Sequence, residues 1–443
     1  MNTPIADFLR EYEHSGFSRF HMPGHKGNSV IGCESWDITE IRGGDSLYEA
    51  DGIIARSEEN ATALFGSGRT VYSTEGSSQC IRAMLYLALN HRTQGGSRTV
   101  VAARNVHKSF VYAAALLDFE VVWLWPEENR SVCDCAVDPN QLEKILSEMS
   151  EPPAAVYVTS PNYLGGMADV AALADVAHRH GTLLLVDNAH GAYLHFLPEA
   201  IHPLDLGADL CCDSAHKTLP VLTGGAYLHM GKRVVEKMGG DAKQAMALFG
   251  STSPSYLIMA SLDLCNRTLE RYYPAQLEQT AKQLDVLREK LVRQGWQVEQ
   301  TDPMRVTIVM PEGISGIELS QKLWREKIEC EYADPEFVVF MITPKNREEE
   351  LEHLAQVLGE NFTPQGKKKK LPLAKGEQVC SVREALFAPH ETIAVKDALG
   401  RICGAPTVAC PPAIPIAVSG ERIGPEALVL FEHYGVTMVD VLK

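Results

Sequence analysis

The stretch DSAHKTLPVLTGG, residues 213–225, ends an apolar run (DLCC, 209–212) and passes into small and polar side chains grouped around one lysine, Lys217. Open α/β sheets bind ligands at the carboxyl ends of their strands, so a lysine here stands where chemistry is done. Ser214, His216 and Thr218 place hydrogen-bond donors suited to a phosphate beside it. A partly desolvated amine also has a lowered pKa, which makes it a nucleophile toward an aldehyde. Alone the stretch is a weak signal, because most lysines are solvated surface groups.

Its surroundings are more specific. From about residue 70 to 230, short β-rich runs (TVYSTE, RTVVAARN, EVVWLW, AAVYVTSP, TLLLVDNAH, DLCCDSAHK, GAYLHM) alternate with stretches of helical period. That alternation predicts a mainly parallel sheet flanked by crossover helices, among them GSSQCIRAMLYLALNHR and ADVAALADVAHRHG, the second stopped by Gly181. One or two long helices are expected over 254–293. A small α+β domain is expected over 294–362, then a lysine-rich linker (Lys367 to Lys370) and a compact proline-rich tail over 371–443. The division reads as an N-terminal segment over 1–50 that closes the site, a large domain over 51–293 and these two smaller C-terminal parts.

Three further strand ends converge on the lysine. In LLLVDNAHGAY, Asp187 ends a run that should be a buried strand, and a buried carboxylate needs a cationic partner. The pyridinium nitrogen of pyridoxal phosphate (PLP) would supply one, and the pair keeps that ring an electron sink. The same Asp could cap a helix or bind a metal. His190 could hydrogen-bond the cofactor or pack in the core. STEGSSQ, 73–79, sets Ser77 and Ser78 at a helix N-terminus, where phosphate binds readily and where a plain N-cap would look the same. In RNVHKSF, His107 could stack on a pyridine ring or lie on the surface. Phosphate turn, stacking ring, acid and lysine in this order, each at its own strand end, form a set that chance rarely assembles. They point to PLP bound as a Schiff base at Lys217.

The bulk composition agrees with an enzyme of this kind. The 443 residues are 45% hydrophobic and 22% charged, ordinary globular values. A formal charge of −16 opposes phosphate backbones, so no nucleic-acid partner is expected. No apolar run is long enough to span a bilayer and the N-terminus does not resemble a secretory signal, so no membrane partner and a cytoplasmic location are expected. Eleven cysteines without a CxxC pair read as buried reduced thiols, and no metal site is expected.

At these residues the chain resembles the fold-type I PLP enzymes, with their aspartate-aminotransferase-like large domain, and within them the short bacterial form of the Orn/Lys/Arg decarboxylase family. The match runs over nearly the whole chain. RFHMPGHKG (19–27), RNVHKSF (104–110), VTSPNYLGG (158–166), VDNAHGA (186–192), SAHKTLP (214–220) and TSPSYLIMASLD (252–263) carry it, with VREALFAP and CPPAIPIAVSGERI in the tail. The resemblance implies that Lys217 forms the Schiff base, Asp187 pairs with the pyridinium and His107 stacks on the ring. Ser77, Ser78, Ser214 and His216 would hold the phosphate, with Thr252 or Ser253 reaching it from a second subunit. It implies a homodimer with active sites at the interface, open to pairing into a dimer of dimers. It further implies that the chain lacks the N-terminal wing domain of the long family members.

The implied reaction is decarboxylation of a basic amino acid (arginine, lysine or ornithine) to carbon dioxide and a polyamine-pathway amine. Lys217 or His216 would return the proton to the α-carbon. The chain departs from the family where relatives read ELPGLDDLHxPEG and it reads EIRGGDSLYEADG, 40–52. Ser46 replaces an acid there and Tyr48 a histidine, while Asp45, Glu49 and Asp51 keep carboxylates that could meet a basic substrate. The cofactor-holding residues do not set the reaction by themselves. An aminotransferase or another lyase on the same fold, with Arg305 as a carboxylate clamp, is therefore the main alternative, followed by a decarboxylase of a non-basic amino acid and a PLP-fold binding module without turnover.

Overall fold

The computed structural model describes residues 1–92, 96–128, 130–311, 313–360, 370–406 and 412–443. Two compact units emerge, residues 1–96 with 170–278 and residues 97–169 with 279–443. The fold is α/β with a large, mainly parallel sheet, as the alternating pattern predicts. Its seven strands are β1 (Arg69–Ser73), β2 (Thr99–Ala103), β3 (Glu120–Leu124), β4 (Ala155–Thr159), β5 (Leu183–Asp187), β6 (Leu210–Asp213) and β7 (Ala226–Met230).

Four of these strands lie in the first unit. β5 and β6 pair in parallel with Asp187 opposite Cys212, and β7 runs antiparallel to both β6 and β1. β1, β5 and β6 therefore point the same way. Their carboxyl ends, Ser73, Asp187 and Asp213, share one edge with the start of β7, where Ala226 faces Ser73 and Tyr227 faces Asp213. The strands are nearly continuous apolar runs because both faces are covered, and β6 and β7 are buried throughout. Each fully buried Val or Leu contributes about 1.5–3 kcal/mol of transfer free energy.

The helices over this edge begin where backbone chemistry directs. Helix α1 spans Pro4–Glu13, α2 Ile53–Leu64 and α3 Ser77–Asn90. α3 follows Gly76, whose φ of 72° lies in the left-handed region that glycine enters without strain. The expected crossover ADVAALADVAHRHG is helical over Val170–Arg179, and Gly181 ends it at φ 69°. Residues 254–293 give two helices, Tyr256–Arg271 and Tyr273–Arg293. Between α1 and α2 there is neither helix nor strand among the described residues, and Phe17, Phe20, Met22, Val30 and Ile31 of this stretch are each more than 60% exposed.

In the second unit β2 pairs in parallel with both β3 and β4. Helix α4 (Lys108–Leu117) follows β2. A separate four-stranded antiparallel sheet holds β8 (Gln297–Val298), β9 (Arg305–Val309), β10 (Tyr332–Ala333) and β11 (Phe337–Met341), with helices over Gly316–Arg325 and Glu348–Glu360. The tail pairs β12 (His390–Ala394) with β13 (Met438–Leu442) around a small core that includes Ile416, Leu430 and Phe431.

Two expectations are corrected. Seven of the ten described cysteines are buried, but Cys33, Cys330 and Cys380 are partly exposed; they occupy loops, where no layer covers them. Lys217 lies one turn past its strand, in a short helix over Ala215–Thr218, because small and polar side chains after Asp213 let the backbone coil. Cys410 and Lys367 to Lys369 lie outside the described residues. Among the described residues no helix is long and apolar enough to cross a membrane.

One buried acid anchors α1. Asp263 accepts the Ile5 and Ala6 amides, both at 3.0 Å, and the Ser57 hydroxyl at 2.6 Å. Burial outweighs these donors and pushes its carboxyl up to about 6. Asp263→Ala should cost about 2 kcal/mol in denaturant unfolding, because it strands two helix-start amides and a hydroxyl. The raised folded-state value means that wild type should gain stability over Asp263→Asn as pH falls through about 6, and lose that gain as pH rises above it. A flat difference between the two proteins from pH 7 to 5 would refute this.

Candidate active site

Parallel pairing of β5 with β6 sets the candidate residues of the first unit at neighbouring strand ends. Asp187, 2% exposed, closes β5. Its Oδ1 accepts the Ala189 amide at 3.2 Å and the Cys212 thiol at 3.6 Å. Three residues on, the buried His190 places Nε2 2.9 Å from Nζ of Lys217. This joins two positions 27 residues apart in the chain: the histidine turn after β5 and the lysine turn after β6. His216 turns its Nδ1 to the Gly225 carbonyl at 3.0 Å. Burial, and then the Lys217 charge, hold this imidazole below its usual pKa against that bond, which favours the neutral ring.

Hydroxyl groups meet beside this amine. The fully buried Ser214 donates to the Ser77 hydroxyl at 2.8 Å, so the start of α3 and the end of β6 share one hydrogen bond. Gly76 donates its amide to the Gly224 carbonyl at 2.8 Å, tying the turn before α3 to the turn before β7. A Cβ at Gly224 would meet the Thr74 carbonyl at 2.7 Å, so glycine is needed for that approach. Ser78 is half-buried on the first turn of α3. Thr252 and Ser253 are exposed; the neighbouring Ser251 amide donates to Glu75 of the same serine-rich turn.

The 40–52 segment is organised by its own side chains. Asp45 accepts amides of Ser46 at 2.9 Å, Gly52 at 2.9 Å and Ile54 at 2.8 Å. Burial works against its charge, yet these amides outweigh it and hold the carboxyl below the usual range. The backbone thus engages both oxygens, and Asp45 anchors this loop and the start of α2. The half-buried Tyr48 accepts from Gln79 Nε2 at 2.9 Å, and Gln79 also accepts from Ser73 at 2.6 Å. Gln79 therefore ties this segment to the end of β1. Sequence reasoning missed it; a glutamine on the buried face of an apolar helix was the available signal. Glu49 accepts from Ser46 at 2.6 Å, and it and Asp51 are exposed.

His107 belongs to the second unit. It caps α4, accepting the Ser109 amide on Nδ1 at 3.2 Å. The tail braces this turn. Arg104 donates to the Pro415 and Ile416 carbonyls at 2.8 and 2.9 Å and pairs with buried Glu421 at 3.3 Å, and the Lys108 amide donates to Ala413 at 2.9 Å. Arg305, the alternative carboxylate clamp, is 1% exposed. It donates to the carbonyls of Asn162 and Tyr163 at 2.6 and 2.9 Å and pairs with Asp302 at 3.3 Å.

Comparison with known proteins identifies the family. The family profile described as Orn/Lys/Arg decarboxylase, major domain, matches residues 3–311. The chain belongs to that family. It is an amino-acid decarboxylase. Among relatives, it is 27% identical to the arginine decarboxylase of Bacillus subtilis (strain 168) over 96% of this chain and 92% of that protein. It is 28% identical to the arginine decarboxylase of Halalkalibacterium halodurans over 95% and 91%. The lysine decarboxylase of Francisella novicida superposes with a TM-score of 0.82 over 100% of this chain and 81% of its own, at 18% identity. Serine palmitoyltransferase of Sphingomonas wittichii superposes at 0.57 over 80% of this chain and 82% of its own, at 14% identity. These likenesses carry the α/β fold.

Because Arg305 is spent on backbone carbonyls and an acid, Arg305→Ala should lower the unfolding free energy by about 3 kcal/mol. An unchanged unfolding midpoint with a raised KM for the amino acid would instead mark it as a clamp on substrate.

Proposed function

We propose that this decarboxylase uses PLP held at Lys217 to remove the carboxylate of a basic amino acid, with arginine ahead of lysine and ornithine. The observation that carries the cofactor assignment is the Lys217 amine 2.9 Å from His190, in the turn that follows β6, the strand paired with the one that ends in Asp187. The donor set fits PLP group by group. An amine suits its aldehyde, and a buried carboxylate suits its ring nitrogen. Two linked hydroxyls with the amides that open α3 suit its phosphate. Related names support arginine: several relatives matching more than 90% of this chain are named arginine decarboxylase.

When bound, PLP supplies an electron sink for the pair left on the α-carbon as carbon dioxide departs. The chain's own residues do the rest. Asp187 holds a proton at the ring nitrogen, and its burial keeps that interaction out of water. Ser77, Ser78, Ser214 and His216 would hold the phosphate, joined by Thr252 or Ser253 from a second copy. His107 is the residue we assign to stack on the ring. The Lys217 amine would carry a proton to the α-carbon, with His216 as the other donor and His190 in hydrogen-bond reach of the lysine nitrogen. Glu49 and Asp51, with Tyr48 beside them, are the groups we assign to the cationic end of the substrate. The product is the corresponding amine of the polyamine pathway.

We further assign the chain to a cytoplasmic homodimer. The exposed apolar side chains grouped within residues 17–31 support a partner surface, since concentrated exposed apolar area marks interaction sites. The division into a closing segment (1–50), a PLP-binding domain (51–293), a small α+β domain (294–362) and a C-terminal domain (371–443) belongs to the same reading.

Incubation of the protein with PLP and arginine, lysine or ornithine should release carbon dioxide and one amine without any keto acid. A requirement for a keto acid would sink decarboxylation. Lys217→Ala should lose both the absorbance band near ~420 nm and turnover, the latter by at least about 10³-fold. Retention of full activity would refute the lysine assignment.

A further inference from the structure

Beneath the proposed site lies a polar cluster that these roles do not use. Asp213, one residue before Ser214 and four before Lys217, is fully buried. Its carboxylate takes three side-chain donors: Asn188 Nδ2 at 2.7 Å, His202 Nε2 at 3.0 Å and His229 Nε2 at 3.2 Å. Nδ1 of His229 meets the Thr70 hydroxyl at 2.8 Å, and Thr70 meets Ser67 at 2.8 Å. One carboxylate thus links β5, β6, β7 and β1 with the loop that carries His202. A buried acid of this kind needs cationic or hydrogen-bonding compensation. The two imidazoles overcome the effect of burial and hold it well below the usual carboxylate range.

The cluster acts on the site through Asn188, the residue after Asp187. The Asn188 amide donates to the Cys212 carbonyl at 3.0 Å, while the Cys212 thiol donates to Asp187 itself. The Asn188 side chain holds one rotamer by giving Nδ2 to Asp213. Its Oδ1 is buried with no protein hydrogen-bond partner among the described residues. His202, Cys211 and Asp213 also bring ligand atoms within 4.8 Å of one another, the spacing of a metal site. Hydrogen bonds already occupy both Asp213 oxygens, which favours the bonded network over an ion.

We infer that Asp213, backed by His202 and His229, is a positioning residue that fixes the aim of Asp187 through Asn188. The inference rests on the assignment of Asp187 to the cofactor ring. Its test uses the 443-residue chain loaded with PLP and three variants. Asn188→Ala cuts the arm and leaves the Asp213–histidine pairs intact. It should fold with a wild-type circular dichroism spectrum, bind PLP about tenfold more weakly by absorbance titration, and lose about tenfold in kcat with KM within about twofold. Asp213→Asn should show the same pattern with a lower Tm. Asp187→Asn is the reference for loss of the ring contact and should be inactive. Wild-type PLP affinity and kcat in Asn188→Ala, beside an inactive Asp187→Asn, would overturn the positioning role alone. Full turnover in Asp187→Asn would overturn the Asp187 assignment and the positioning role together.

Discussion

The parallel pairing of Leu183–Asp187 with Leu210–Asp213 is the constraint on which the proposed chemistry depends. Register places Asp187 opposite Cys212, so a one-residue slip would turn Asp187 and its neighbours to the other face. With the register held, the turns after the two strands lie close enough for His190 to meet Lys217 at 2.9 Å. β7 returns antiparallel and brings Gly224 and Gly225 to the same edge, where they meet the turn before α3 and the His216 ring. Chemistry gathers there because strand ends leave backbone groups and short side chains unpaired by the ladder.

Buried charge does much of the joining between segments distant in sequence. Asp263 holds the start of α1, Glu58 pairs with Lys243 at 2.5 Å, and Arg305 pairs with Asp302 beside the Asn162 and Tyr163 carbonyls. Arg104 and Glu421 tie the tail to the turn that carries His107. Such pairs add little net stability over apolar packing, because desolvation offsets the attraction. They do penalise any arrangement that leaves a charge unpaired, and so favour one geometry around the turns that bear the functional side chains.

Much of the frame was legible in advance. The apolar β-rich runs and their crossover helices are visible as period and composition, and each expected run became a strand. Lys217, Asp187 and Ser77 were recognisable because a lone polar group at the end of an apolar run needs a reason to be there. Asp45 did not disclose its amide partners, since a carboxylate in a loop looks the same whether it faces a ligand or gathers its own amides. Asp213 was passed over within DLCCDSAHK, and His229 within GAYLHM, although each is a titratable group inside an otherwise apolar strand. Neither discloses its partner, because 16 residues separate them in the chain and only the β6–β7 pairing joins them.

The sequence by itself determined which stretches are strands, which residues could carry amine, acid and phosphate-binding chemistry, and which family they resemble. Local periodicity and residue type are properties of short windows, readable without a fold. Tertiary structure decided which of those residues meet: His190 with Lys217, Ser214 with Ser77, Gln79 with Tyr48, and Asp213 with two histidines. It also gave Arg305 and Asp45 their backbone partners. The physical reason is that a hydrogen bond or ion pair depends on distances of about 3 Å, which strand register and chain reversal set between positions far apart in sequence.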